Sequence, residues 1–110
     1  MTVRDDAAQT DGYAARIAGT APAEKGNRYI RQLAKHWSHK FAVSETDGEI
    51  HIAFKIGGIA RLSADDQRIV ITIEAADRKS AEQLKDVVAV HLNRFAFREA
   101  PLEFSWKAPV

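Results

Sequence analysis

Between Phe41 and Ala75 apolar and polar residues alternate with period two, and on either side they recur with the period of a helix. Over Glu49 to Ile56, Ile50, Ile52, Phe54 and Ile56 alternate with Glu49, His51, Ala53 and Lys55. Ile59 to Ala64 places Ala60 and Leu62 on one face, and Arg68 to Ala75 does the same with Ile69, Ile71 and Ile73. Phe41 to Thr46 is a shorter stretch of this kind. Successive strand side chains point to opposite faces, so the pattern predicts four strands with one face covered and one open to water. The turns have matching chemistry. Asp47-Gly48 supplies the positive φ angles of a type I′ hairpin, Gly57-Gly58 predicts a second tight hairpin, and Asp65-Asp66 a third turn.

The flanking segments read as helices. Ile30, Leu33, Ala34, Trp37 and Phe41 recur at helical spacing, and Thr20 before Ala21-Pro22 predicts an N-cap with proline in the first turn. From Ser80 to Phe97, Leu84, Val87, Val88, Leu92 and Phe95 form one apolar stripe with His91 near its centre. Asp77 or Ser80 caps this second helix, and Ser80 with Gln83 fits a capping box. Tyr13, Ala15 and Ile17 predict a short first strand, and Leu102, Phe104 and Trp106 a last edge strand.

The order is therefore β-α-β-β-β-β-α with an extra C-terminal strand, an α+β chain whose two helices lie on one face of a twisted antiparallel sheet. This layout resembles the TATA-binding-protein-like and helix-grip architectures, and a shared layout does not carry function. Residues 1–12 are expected to form a flexible segment and residues 13–107 a single domain.

Composition narrows the function classes. A chain of 110 residues, 45% hydrophobic and 28% charged, is long enough for one core. Its zero cysteines exclude disulfides, thiolate metal sites and cysteine nucleophiles, and fit a reducing cytoplasm. The first six residues, Met1-Thr2-Val3-Arg4-Asp5-Asp6, contain no apolar h-region, and no later apolar run reaches membrane-spanning length. A net charge of +1 gives no reason to expect nucleic acid or an anionic membrane as partner. A cytoplasmic monomer or homodimer is expected.

Three groups of residues are candidates for chemistry. His91 sits among aliphatic side chains, where an imidazole must find a hydrogen-bond partner, lose its charge or bind a ligand. His36-x-x-His39 has the i, i+3 spacing of two imidazoles on one metal, although Lys35 and Lys40 beside them repel cations. Arg28, Arg31, Lys35 and His39 share the outer face of the first helix, a stripe suited to an anionic partner. No carboxylate stands within a turn of His91 on its own side, because Asp86 and Asn93 are read to project from the opposite side. No local Ser-His-Asp arrangement follows. No glycine-rich phosphate loop is present, Gly57-Gly58 lying between strands. The open sheet face, with Arg16, His51, Lys55, Arg61, Arg68, Thr72 and Glu74, offers no aromatic on which bases could stack.

The segments Arg28-Tyr29-Ile30-Arg31-Gln32-Leu33-Ala34-Lys35-His36-Trp37-Ser38-His39-Lys40, Glu74-Ala75-Ala76-Asp77 and Val87 through Glu99 resemble the motifs of the bacterial domain-of-unknown-function 2218 family. The similarity runs from Tyr13 to Trp106. The family has no established activity. Similar domains occur joined to siderophore-interacting flavin reductase modules, and this implies a role near iron acquisition. The family pattern often has cysteine where this chain has Ala34, so a thiol-dependent role is not carried over. The function expected is a non-enzymatic binding or accessory domain, without a cofactor, for a small anionic or iron-chelating ligand or an acidic partner protein. His36, His39, Lys40, His91 and Arg94 are its candidate ligand residues, and Arg28, Arg31 and Lys35 the surface for an anionic partner. The alternatives are a small enzyme with His91 or His36 as general base, and a homodimeric structural domain with no ligand.

Overall fold

Ile69, Ile71 and Ile73 lie on one of the two middle strands of the sheet, where β-branched side chains pack well on the pleated surface. The computed structural model describes residues 14–55 and 57–107. The expected flexible segment 1–12, Tyr13 and Ile56 therefore lie outside the described residues. Six strands and two helices follow one another as β1 (Ala15–Pro22), α1 (Gly26–Trp37), β2 (Ala42–Thr46), β3 (Glu49–Phe54), β4 (Gly58–Ala64), β5 (Arg68–Ala75), α2 (Arg78–Phe95) and β6 (Ser105–Lys107). The strands form one antiparallel sheet in the order β2-β3-β4-β5-β1-β6. The meander through residues 42–75 and the terminal edge strand are those expected from the alternation.

Both helices cover the same sheet face. Gly26 at the start of α1 sits against Ile69 and Ala64, and Leu84 of α2 packs over Gly58, whose register partner on β5 is Ala75. Ile69 and Ala75 are separated by an even number of residues on β5 and so share a face. The core between the layers is apolar: Ile17, Ile52, Leu62, Ile69, Ile71 and Ile73 from the sheet meet Ile30, Leu33, Trp37, Leu84, Val88 and Leu92 from the helices.

Four local expectations are corrected. Strand β1 runs on through Pro22, and Thr20 pairs with Val70 and Ser105 instead of capping a helix. Its inward positions, Ala15, Ile17, Gly19 and Ala21, are mostly small, so alternation there is faint. The turn expected at Gly57-Gly58 falls instead between Phe54 and Gly58, which pair with each other, and of the two glycines Gly57 takes a positive φ of 91° while Gly58 does not. Gly58 belongs to β4 because Leu84 packs directly on its Cα, where a Cβ would collide. Val87 is 39% exposed, and the buried row of α2 is Ala81, Leu84, Val88 and Leu92. His91 thus flanks the buried face and is half-buried. The Asp47-Gly48 turn has the expected positive φ angles, 52° and 81°.

The open face carries one surprise. Glu74 is only 2% exposed, whereas the alternation reads it as wet. Arg61 Nη1 lies 2.8 Å from its Oε1 and Arg16 Nε 3.9 Å from its Oε2. The Arg61 approach is off the line of a hydrogen bond, so Oε1 is compensated by charge without an aligned donor.

Candidate ligand site

The site-forming feature is the seam where α1 and α2 lie side by side. On α1, Arg28, Gln32 and His36 recur every four residues and so form one row. On α2 and the turn after it, His91, Phe95 and Arg98 form the facing row. The rings of His36 and His91 are 6.3 Å apart, those of His91 and Trp37 5.0 Å, and those of His36 and Phe95 5.8 Å. The Val87 carbonyl accepts a hydrogen bond from His91 Nδ1 at 2.8 Å. A carbonyl only accepts, so Nδ1 is the donor, and in the neutral tautomer this selects the lone pair lies on Nε2.

At its other end the seam opens into a cavity of about 200 Å³ lined by Lys25, Arg28, Tyr29, Gln32, Phe95, Phe97 and Arg98. Three cations face it, and its lining includes no carboxylate. Phe97 is 70% exposed, and the Arg98 guanidinium lies 5.6 Å from the centre of its ring. A wider concavity of about 550 Å³ shares Lys25 and Arg28 with this cavity. Its rim sets Glu24, Asp65 and Asp66 against Lys25, Arg28 and Arg31, so it presents no net field to an anion.

Glu99 organises the cationic end. Its carboxylate accepts from the Glu24 N–H at 2.9 Å, the Lys25 N–H at 3.1 Å and the Tyr29 hydroxyl at 2.6 Å. Helix α1 has no side-chain cap of its own, so Glu99 satisfies donors that its start leaves open. The Tyr29 hydroxyl, followed by the Glu24 and Lys25 N–H groups, holds the Glu99 carboxyl below its usual range. The same hydrogen bond, with burial, pushes the Tyr29 phenol up. Sequence reasoning missed Glu99, because it acts 70 residues away from Tyr29 and no local spacing announces it.

The candidate residues divide. His36 and His91 are brought together, and Arg28 faces the cavity. His39 and Lys40 are exposed in the turn after α1, and Lys35 and Arg94 are exposed on their helices. The bidentate pair that Arg31 makes with Glu45, at 3.1 and 2.8 Å, removes it from the free stripe. Asn93 does not project away from the fold, since its Oδ1 accepts from the Leu102 N–H at 2.8 Å and holds the return toward β6. The His51 Nε2–H donates to Glu49 at 2.8 Å on the open sheet face, a contact readable from i, i+2 spacing on a strand. No group of three or more His, Asp or Glu side chains able to hold a metal occurs among the described residues. No helix among them is long and apolar enough to cross a membrane.

Comparison with known proteins places these features in context. Residues 18–107 match the family described as an uncharacterized protein conserved in bacteria, DUF2218. A solved NMR structure, that of PA4090 from Pseudomonas aeruginosa, superposes with a TM-score of 0.72 at 31% sequence identity, covering 84% of this chain and 95% of that one. No curated protein matches the sequence.

Proposed function

The chain belongs to this uncharacterised bacterial family, and we propose that it is a non-enzymatic binding domain for a small anionic ligand seated at the cationic end of the α1–α2 seam. One observation carries the reading: Lys25, Arg28 and Arg98 converge on a cavity whose lining has no carboxylate. Each guanidinium offers a planar fork that matches a carboxylate or phosphate. Glu99, held by two backbone N–H groups and the Tyr29 hydroxyl, stays ionised and offsets one of the three positive charges, so the site keeps a net positive charge. Phe97 and Phe95 add apolar walls, which suits an anion with a flat hydrocarbon part.

Size limits the ligand. A cavity of about 200 Å³ is smaller than the roughly 300–1,000 Å³ of sites for drug-sized molecules. An iron chelate, the ligand suggested by the family's link to siderophore modules, would seat one anionic arm there. A general-base role for His91 has less support, since a carbonyl and not a carboxylate orients its ring.

A ¹H–¹⁵N NMR titration with phenyl phosphate, benzoate and ferric citrate tests the proposal. Shifts centred on Lys25, Arg28, Gln32, Phe97 and Arg98 that saturate with at least one of these ligands are expected. Absence of saturable shifts with all three, or shifts centred on the exposed Lys35 and Lys40 instead, would overturn it.

A further inference from the structure

The imidazole end of the seam has chemistry separate from that of the cationic cavity. We infer that His36 and His91 form a two-imidazole clamp for a divalent transition metal ion, bridging α1 and α2. Three observations support the clamp. The ring centres stand 6.3 Å apart across the seam, close enough for one ion between them to reach a nitrogen of each. The Val87 carbonyl fixes the tautomer and orientation of His91, leaving Nε2 as the donor. Metal-bound histidines characteristically tie their other ring nitrogen to a carbonyl or carboxylate in this way. Finally, the Trp37 and Phe95 rings at 5.0 and 5.8 Å give the pair an apolar wall.

The distances are compatible with coordination. A metal–nitrogen bond of about 2.0–2.1 Å puts a ring centre roughly 3.2 Å from the ion, so two rings on one ion stand about 4.5–6.4 Å apart as the angle between the bonds opens from a right angle to a straight line. The observed separation lies at the wide end of that range, and exposed His36 is free to swing inward. Nitrogen donors without thiolate or carboxylate suit copper(II), nickel(II) and zinc(II), with copper(II) bound most tightly. The remaining coordination positions are open to water or an added ligand. The exposed side chains of Lys35 on the same helix and Lys40 in the turn after it are solvated, and solvent weakens their repulsion. His39, the residue paired with His36 by sequence spacing, is not part of the clamp.

Calorimetric titration of nickel(II) chloride into tag-free protein decides the matter. One ion per chain is expected, weakened about tenfold or more by His36→Ala and by His91→Gln, and unchanged by His39→Ala or His51→Ala. His36 is exposed, so His36→Ala retains the fold and remains decisive if His91→Gln does not. Nickel-induced broadening of the His36 and His91 ring signals provides a second reading. Binding unaffected by His36→Ala, binding lost with His39→Ala or His51→Ala, or no one-to-one binding overturns the clamp.

Discussion

The two helices begin on carboxylates that come from opposite distances along the chain. Helix α2 is capped by its own neighbour, Asp77, whose side chain accepts from the Ser80 N–H at 2.8 Å. Helix α1 starts at Lys25 without a local acceptor, and Glu99, 74 residues further on, accepts from the Lys25 N–H. The first cap is a property of a short peptide, whereas the second exists only once the whole domain has closed. Glu99 also follows Arg98 directly, so the group that starts α1 positions one wall of the cationic cavity. Stability and site geometry are coupled at the start of α1 and independent at the start of α2.

The largest effect expected is from Glu99→Ala. Loss of a cap and an orphaned Tyr29 hydroxyl together cost about 1–3 kcal/mol, measured by urea unfolding. Amide exchange should quicken at Glu24 and Lys25, and affinity for the anion should fall as well. An unchanged midpoint with unchanged exchange contradicts the role given to Glu99.

Asp77→Ala is expected to lower the melting temperature by less than Glu99→Ala does, because one local acceptor is lost and no buried hydroxyl is left unpaired. Anion affinity should stay that of the parent. A matching loss of affinity would mean that the two helix starts are not independent.

The acid limb distinguishes the two ends further. Glu99 has a folded pKa below its unfolded value, so its contribution is complete above the unfolded value near 4.5 and disappears as pH falls through the folded one. Glu99→Gln should therefore flatten the loss of stability below about pH 4.5. Asp77 is also depressed, mainly by the Ser80 N–H, and accounts for part of the remaining slope. A stability–pH curve in which Glu99→Gln parallels the parent excludes this linkage.

The smallest effect belongs to the exposed Arg31–Glu45 pair. Removing either partner should shift the melting temperature near the limit of measurement, and high salt should erase the difference. A large, salt-independent shift would show that β2 depends on this pair.

How much was legible follows the same division between local and distant contacts. The strands β2 to β5, their Asp47-Gly48 turn and the start of α2 are written in neighbouring residues, and they stand where the periodicity puts them. The start of α1 is not, because small residues blur β1 and the cap comes from Glu99. Likewise, spacing along the sequence pairs His36 with His39, whereas helix packing pairs it with His91. Arg28 was legible as a member of an outer basic stripe, but not as the lining of a cavity. Its convergence with Arg98 was not legible either, since the cavity joins two segments far apart in sequence. Glu74 was misread for a related reason: period two assigns its face correctly, but burial there depends on how its neighbours pack.

The central claim is that the Arg28–Arg98 end of the seam binds an anion, and the most direct test is calorimetric affinity for phenyl phosphate at low salt in the parent, Arg28→Ala, Arg98→Ala and Asp77→Ala. A charge-assisted hydrogen bond contributes about 1.5–3 kcal/mol, so each arginine variant should lose about tenfold or more in affinity while Asp77→Ala keeps the parent value. Equal affinity in all four proteins would contradict the account.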